Sequence, residues 1–249
     1  MADELRLAGH TALITGGAKR LGRAVTEALA GAGADVCIHY GHSADDAAGL
    51  AGRVRGLGRR AWTVQCDLAD AEGVAGLLPR VMEEAGDVDI LINNASIFPE
   101  STLMDFTEHD LRENINVNAL APLILGRTFA GRGKAGHIIN FLDTRIVSYD
   151  KAHAAYHLSK RMLFTLTRMM ALEFAPAIRV NAIAPGLILP PEGKTQAYLE
   201  QYAHTNPMQT YGNPRDIADT VLFLLTTGFI TGQTIYVDGG RHMKGATYG

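Results

Sequence analysis

The sequence predicts an α/β protein with one domain, built on a doubly wound, seven-stranded parallel sheet with helices on both faces. The first observation is size: 249 residues, 47% of them apolar, suffice for one large core and do not require a second domain. The second is pattern, because short β-rich runs alternate with helix-length segments, and these runs are continuously apolar, as in strands buried on both faces. We therefore expect a single domain over residues 1–249 with right-handed crossovers.

The predicted strands recur along the whole chain. They comprise residues 11–15, 35–40, 61–67, 88–95, 136–143, 178–185 and 233–240. Ligands of doubly wound sheets bind beyond the carboxyl ends of the strands, so the residues that follow each run are the first candidates for a site.

The connection after the sixth predicted strand is unusual. Residues 186–214 are polar, rich in Pro and Gly, and longer than such connections usually are. Because this segment leaves the carboxyl end of a strand, where a lid must be anchored, we interpret it as a mobile flap over the site. The alternative is a surface excursion without a role.

Charge and hydropathy argue against two kinds of partner. The chain has 23 Lys and Arg against 26 Asp and Glu, a net charge of −3, which gives no broad attraction for nucleic acid or anionic lipid. No stretch reaches the ~18 apolar residues of a membrane helix, and the charged N-terminus lacks the apolar core of a secretory signal. These features predict a cytoplasmic protein that binds neither nucleic acid nor membrane.

Cysteine and histidine positions predict neither a disulfide nor a metal site. Cys37 and Cys66 lie in apolar strand-like runs and are expected to be reduced and buried. His153 and His157 are four residues apart, but no cysteine and no HExxH pattern accompanies them.

A glycine-rich turn follows the first predicted strand in the segment TGGAKRLG. Gly16, Gly17 and Gly22 are small enough for the backbone to approach a pyrophosphate, and the helix that follows offers unpaired N–H groups at its N-terminus. Three glycines before a helix can also be only a tight turn.

The second strand indicates which dinucleotide would bind. NAD sites usually end this strand with an acidic residue that binds both ribose hydroxyls, whereas here it ends HYGHS, without a negative charge. Lys19 and Arg20 add two cations in the neighbouring turn. The pattern favours NADPH. Asp67 is a candidate acceptor for the adenine amino group, and NNAS (93–96) places small and amide side chains beside the cofactor ribose.

The chemistry is predicted to lie after the fifth strand. Tyr156 and Lys160 are at i and i+4 of a helical stretch and share a face. The lysine charge is expected to lower the phenol pKa from its reference of ~10 and so ease proton donation at neutral pH.

Five segments together resemble one family. TGGAKRLG, NNAS, YHLSK, NAIAPG and VDGG make nearly the whole chain similar to the short-chain dehydrogenases/reductases, which have a Rossmann-type fold. The resemblance implies that Asn118, Tyr156 and Lys160 are catalytic, with Asn118 holding a water that relays protons to the lysine. It also implies a homotetramer, with the tail 239–249 near an interface.

Two departures from the family pattern indicate the class of substrate. Most members have glycine where Arg20 stands and serine where Asp143 stands, and both departures occur together in the pteridine reductases and dihydromonapterin or dihydrofolate reductases. A serine hydroxyl can donate to a developing oxyanion, whereas an ionised carboxylate repels it. Asp143 suits a pterin better, since it can accept from ring N–H groups and help relay protons. Alternatively, Asp143 only caps the following turn.

Two further side chains suit a flat heteroaromatic substrate. The ring of Phe98 can stack on a pterin, and Arg20 can reach both the cofactor pyrophosphate and the pterin carbonyl edge. Alternatively, Phe98 is a core or interface ring and Arg20 binds phosphate alone.

The resemblance and the residues together give the expected site. The predicted catalytic residues are Asn118, Asp143, Tyr156 and Lys160. The predicted substrate contacts are Arg20, Ser96, Phe98, Asp143 and Tyr156. The predicted cofactor contacts are Gly16, Lys19, Arg20, Leu21, His39, Tyr40, His42, Ser43, Asp67, Leu68, Asn94, Ala95, Ser96, Tyr156, Lys160, Pro185, Gly186 and Leu187.

The function expected from this site is NADPH-dependent reduction of a dihydropterin, such as dihydrobiopterin or dihydromonapterin, or of dihydrofolate, with Tyr156 donating the proton. One alternative is a carbonyl reductase of the same family, acting on a 3-oxoacyl thioester or another ketone. Another is a nucleotide-binding regulator without catalysis. The choice of pterin side chain is expected to lie in residues 186–214.

Overall fold

The computed structural model describes residues 6–244, and its seven strands form one sheet in the order β3-β2-β1-β4-β5-β6-β7. The strands are β1 Thr11–Ile14, β2 Asp35–Tyr40, β3 Ala61–Gln65, β4 Ile90–Asn93, β5 Gly136–Phe141, β6 Ile178–Pro185 and β7 Thr234–Val237. Every neighbouring pair is parallel. The predicted doubly wound, Rossmann-type fold is confirmed. Part of the predicted interface tail, residues 245–249, lies outside the described residues.

In the described part of the chain, eight α-helices connect the strands and a ninth follows β7. They are α1 Arg20–Gly31, α2 Ala44–Gly56, α3 Ala71–Ala85, α4 Glu108–Ile115, α5 Ala121–Ala130, α6 Ala154–Glu173, α7 Gln196–Tyr202, α8 Pro214–Thr226 and α9 Arg241–Lys244. A π-helical turn, Asn116–Leu120, joins α4 to α5, and 3₁₀ turns span Thr144–Val147 and Ala203–Thr205.

The helices cover the two faces of the sheet with separate cores. Along β1, Ala12 and Ile14 pack with the apolar faces of α1, α2 and α8, while Leu13 packs with those of α3, α5 and α6. Alternate strand residues point to opposite faces, so a continuously apolar strand supplies both cores.

The sheet places its site at the point where the strand order reverses. The chain runs from β1 outward to β2 and β3, then returns to the other side of β1 as β4. The crevice between these two halves, beyond the carboxyl ends of β1 and β4, is where such sheets bind nucleotides.

Five predicted strands extend too far at their carboxyl ends, by one to three residues, and two of them also begin too early. The structure ends β1 at Ile14, β3 at Gln65, β4 at Asn93, β5 at Phe141 and β7 at Val237, and it begins β4 at Ile90 and β7 at Thr234. The chain leaves the ladder at these points to form turns, and one of the residues beyond the strand ends, Asp143, lines the site cavity described below.

The segment 186–214 is folded around a helix and returns to its starting point. Leu199 of α7 and Asn206 are buried, and the Gly212 N–H donates to the Leu187 carbonyl at 3.0 Å. The segment therefore covers one side of the crevice, and its opening as a flap stays a prediction.

Both cysteines are free thiols in the interior. Burial, the largest effect, raises the pKa of the Cys37 thiol to about 12. Within residues 6–244, no helix combines the length and apolar character needed to cross a membrane.

Candidate active site

A cavity of about 370 Å³ opens beyond the carboxyl ends of the central strands. It is lined by Arg20, Phe98, Asp143, Thr144, Arg145, Tyr156, Gly186, Leu187, Leu189, Pro191, Tyr198, Tyr202 and Arg241. Four of the five predicted substrate contacts are therefore together, and Ser96 is outside the lining. The volume lies within the range of small-molecule sites.

Asp143 makes two contacts with its two carboxylate oxygens. The Tyr156 hydroxyl donates to Oδ2 at 2.9 Å, and the backbone N–H of Arg145 donates to Oδ1 at 2.7 Å. The turn-capping contact and the contact to the predicted proton donor thus coexist in one side chain. Capping fixes the carboxylate in place, and the second oxygen faces the phenol.

The pKa of Tyr156 is raised, and the expectation that Lys160 lowers it is wrong for this arrangement. Burial is the largest cause, followed by the negative charge of Asp143 and the hydrogen bond to it. Lys160 Nζ donates to the Phe141 carbonyl at 2.7 Å and lies 5.8 Å from the centre of the Tyr156 ring. The phenol is therefore held neutral, with its proton directed at Asp143.

Lys160 is itself a perturbed group. Burial lowers its pKa to about 8, and the charge of Asp143 offsets part of this effect. An ammonium buried on α6 with one carbonyl acceptor is costly to desolvate, as is common for functional lysines.

Asn118 is completely buried in the π-helical turn. Its Oδ1 accepts from Ser96 Oγ and from the Ile97 N–H, both at 3.0 Å, and its Nδ2 donates to Ser159 Oγ at 3.0 Å. The amide thus joins the loop after β4 to α6. These bonds explain why Ser96 lies outside the cavity lining, and the water relay stays a prediction.

Phe98 forms the aromatic side of the cavity. One face stacks on His153 with ring centres 3.8 Å apart and an interplanar angle of 12°, while the Tyr156 ring meets it edge-on at 4.5 Å. The residue remains 43% exposed, and the guanidinium carbon of Arg145 lies over its ring, 5.4 Å from the ring centre. A flat ligand that stacks on Phe98 would therefore lie beside Arg145.

The two histidines on α6 and its cap are held by one carboxylate. His153 Nδ1 lies 3.0 Å from Asp150 Oδ1, and His157 Nε2 lies 3.4 Å from Asp150 Oδ2. Among residues 6–244, no group of three His, Cys, Asp or Glu side chains is arranged to hold a metal ion.

The nucleotide turn is tightly built around glycine. Gly16 has a φ of +59°, and a Cβ on Gly22 would lie 2.1 Å from the Gly16 carbonyl oxygen. Asn94 Nδ2 donates to the carbonyls of Thr15 at 2.9 Å and Gly16 at 3.0 Å. Only glycine permits this close approach of helix and turn.

His39 supports the turn rather than facing a ligand, which corrects its predicted side-chain contact with the cofactor. It is 2% exposed, its Nδ1 accepts from the Gly16 N–H at 3.1 Å, and its Nε2 donates to the Cys66 carbonyl at 3.0 Å. Both ring nitrogens are thereby occupied. Burial lowers the pKa of His39 to about 4.

This histidine predicts acid sensitivity. The folded-state pKa of His39 lies below its ordinary 6.5, so the unfolded chain takes up the proton first, and stability is lost as pH falls from 6.5 toward 4. We expect protonation of the unfolded chain at this histidine to lower the free energy of unfolding by up to about 3 kcal/mol. Urea unfolding of wild type and His39→Gln across this range measures it.

If the free energy of unfolding falls with pH by the same amount in wild type and His39→Gln, then His39 is not the cause of the acid sensitivity. His137, whose pKa burial also lowers to about 4, is present in both and cancels in the comparison.

The turn also fits the phosphates of a dinucleotide. Helix α1 begins with no side-chain cap and no acidic residue in its first turn, so its N-terminal N–H groups and positive dipole end face the crevice. Arg20 has a φ of +52°, which costs of order 1 kcal/mol for a residue with a Cβ. Its guanidinium donates to the Pro190 carbonyl at 2.7 Å and so spans from the turn to segment 186–214.

The remaining predicted cofactor contacts line the same edge of the sheet. Lys19 pairs with Asp46 at 3.0 Å on the surface, Asp67 accepts from the Ala69 N–H at 2.9 Å, and Gly186 packs so closely that a Cβ would lie 2.5 Å from Asp238 Cβ. Leu21, Tyr40, His42, Ser43, Leu68, Ala95, Pro185 and Leu187 lie at the adjoining strand ends and helix starts. Their contacts with a cofactor stay predictions.

Several cavity residues were not predicted. Arg145, Tyr198 and Tyr202 were missed, and Arg241 was noted only as a cation of the tail. The one available signal was position, since Tyr198 and Tyr202 lie in segment 186–214.

The fold and site define an oxidoreductase that uses a dinucleotide, and comparisons with known proteins identify its family. A family model described as enoyl-(acyl carrier protein) reductase matches residues 16–242. An uncharacterized oxidoreductase of Mycobacterium tuberculosis is 35% identical, covering 96% of this chain and 94% of that protein. The 3-oxoacyl-[acyl-carrier-protein] reductase FabG of Staphylococcus aureus is 31% identical, covering 94% and 98%.

Among solved structures, FolM alternative dihydrofolate reductase 1 from Brucella canis, complexed with NADP, superimposes with a TM-score of 0.89. It is 34% identical, and the match covers 96% of each chain. The chain belongs to the short-chain dehydrogenase/reductase family.

Proposed function

We propose that this protein is an NADPH-dependent reductase of pteridines in which Tyr156 donates the proton. The observation that carries the proposal is the hydrogen bond from the Tyr156 hydroxyl to Asp143, at 2.9 Å, inside a cavity flanked by Phe98. The similarity to the Brucella canis alternative dihydrofolate reductase supports it independently.

NADP(H) is the cofactor. The Brucella canis structure contains NADP, and in this chain helix α1 begins without a side-chain cap directly after a glycine-rich turn. The end of β2 carries no acid that would repel a 2′-phosphate, and Lys19 and Arg20 add two cations in the neighbouring glycine turn. When bound, the cofactor supplies hydride.

The pair of Asp143 and Tyr156 favours a ring nitrogen over a ketone oxygen. A ketone becomes an oxyanion and needs donors, whereas the nearest carboxylate repels that charge. A pterin instead presents N–H groups, from which Asp143 accepts. Accepting them frees Asp143 from the phenol, and the Tyr156 proton is then delivered to the ring nitrogen next to the carbon that is reduced.

A ketone reductase is the second candidate, because the Staphylococcus aureus relative is a 3-oxoacyl-[acyl-carrier-protein] reductase. In that reaction Asp143 would stand beside the developing negative charge. A regulator without catalysis is disfavoured because Lys160 and Tyr156 are both buried, an arrangement that is costly unless used. The homotetramer stays a prediction.

Ligand binding to the NADP⁺ complex tests the proposal without turnover. We expect dihydrobiopterin or dihydrofolate to bind at least tenfold more tightly to the NADP⁺ complex than acetoacetyl thioester does, as measured by calorimetry. Phe98→Leu keeps apolar bulk but removes the stacking ring, and should weaken pteridine binding by several fold. Tighter binding of the thioester, unaffected by this change, would favour the ketone reductase.

A further inference from the structure

The cavity contains a guanidinium that the proposed chemistry does not use. Arg241 begins α9, is half-buried and lines the cavity together with Asp143 and Tyr156. Within residues 6–244, its side chain forms no ion pair and no hydrogen bond with the protein. A half-buried cation that no carboxylate pairs with directly points to an anionic ligand.

The position of Arg241 is fixed by the turn that precedes it. The side chain of Asp238 is almost completely buried and accepts from the N–H groups of Gly240 at 2.9 Å and His242 at 2.7 Å. The Thr144 hydroxyl also donates to Asp238, which ties α9 to the turn that carries Asp143. Arg241 is therefore held at the cavity edge by buried hydrogen bonds.

The two other charged side chains at this end of the cavity already have partners. Arg145 pairs with Asp150 at 2.9 Å, and Asp143 accepts from Tyr156. Burial lowers the pKa of the Arg241 guanidinium, and the positive charge of Arg145 lowers it further. The negative charges of Asp143 and Asp238 offset only part of this effect. An anion placed between the two arginines would relieve this repulsion.

The cavity wall between Arg241 and the flap segment is aromatic. Tyr198 and Tyr202 of α7 line it, with ring centres 4.6 Å apart. Both rings line the same cavity as Phe98, and such rings suit an extended or aromatic substituent of a ligand. Arg241 lines this cavity together with the two tyrosines, so an anionic group on such a substituent has a cation within the cavity.

We infer that Arg241, backed by Arg145, is a subsite for the anionic end of the substrate's side chain, so that the enzyme selects pteridines whose side chain carries a carboxylate or a phosphate. This inference rests on the proposed function for the pteridine part, and on the cavity charges for the anion. Arg20 also lines the cavity, but its guanidinium already donates to the Pro190 carbonyl, whereas that of Arg241 has no such bond among the described residues.

Steady-state kinetics with matched substrates test the subsite. Dihydrobiopterin has an uncharged side chain, dihydrofolate a carboxylate-bearing one, and dihydroneopterin monophosphate a phosphate. We expect Arg241→Gln to lower kcat/KM for the anionic substrates by about tenfold or more, with the neutral one changed less than twofold. Arg241→Lys should recover part of the loss. Arg215→Gln, which removes an exposed charge on α8, is the control.

Binding measurements separate this inference from the proposed function. Calorimetry on the NADP⁺ complex with N-benzoyl-glutamate and with benzyl phosphate asks whether the side-chain end binds without a pterin, and which anion is preferred. Binding of either probe that weakens tenfold in Arg241→Gln supports the subsite even if no pteridine is reduced. Equal binding to wild type and Arg241→Gln, or an equal loss of NADPH affinity in the variant, overturns it.

Discussion

Replacing Tyr156 with phenylalanine is expected to lower kcat for pteridine reduction by about 100-fold or more, while NADPH affinity changes less than twofold. The substitution removes one oxygen and keeps the ring that meets Phe98 edge-on at 4.5 Å. The hydroxyl has one hydrogen-bond partner among the described residues, Asp143, so folding should not depend strongly on it. Single-turnover rates at saturating NADPH measure the effect.

The control for this variant is Tyr149→Phe, which removes the same atom from a residue that is 76% exposed. Its rate should equal that of wild type. A Tyr156→Phe enzyme that retains a third or more of the rate would assign proton donation to another group. A large loss of NADPH affinity would assign the hydroxyl to cofactor binding.

Replacing Asp143 with serine is expected to reduce pteridine turnover by tenfold or more, at ~1.4 kcal/mol for each factor of ten. Serine can still cap the turn by accepting from the Arg145 N–H, so the local fold should be kept. The variant then removes only the negative charge and the acceptor for the Tyr156 hydroxyl. NADPH affinity should stay the same. If the variant gains any reductase activity, we expect it with ketone substrates, because the carboxylate that repels an oxyanion is gone.

The same variant has a spectroscopic readout. The charge of Asp143 and its hydrogen bond both raise the pKa of Tyr156, so their removal should lower that pKa, while burial keeps it above its ordinary value. Ultraviolet titration of wild type against Asp143→Ser, with Tyr156→Phe to identify the signal, measures the shift. If Asp143→Ser reduces pteridines at the wild-type rate across the pH range, then Asp143 only caps its turn and has no part in the reaction.

The sequence predicted the sheet well because burial on both faces leaves a simple pattern. All seven apolar runs are strands, and β2 and β6 begin and end as expected. Strand ends at the crevice were overestimated, since residues such as Asp67 and Asp143 continue a β-like run but use their side chains to cap turns. Capping depends on local geometry that an apolar pattern does not encode.

The site was predicted only in part, because motif spacing does not specify three-dimensional contacts. Motif spacing brought Tyr156 and Asp143 together, but the position of the Lys160 ammonium depends on the Phe141 carbonyl, which the spacing does not specify. Arg145 and Arg241 reach one cavity from turns nearly a hundred residues apart in sequence. Their meeting requires the buried bonds of Asp238, whose partners come from different segments.

Turnover by the wild-type protein tests pteridine reduction most directly. NADPH oxidation is followed with dihydrobiopterin, dihydromonapterin, dihydrofolate and an acetoacetyl thioester, and the tetrahydro product is identified by chromatography. We expect at least one pteridine to be reduced, with a kcat/KM at least tenfold above that of the thioester. Rapid reduction of the thioester with no tetrahydropteridine formed would contradict the proposed function and leave the ketone reductase in its place.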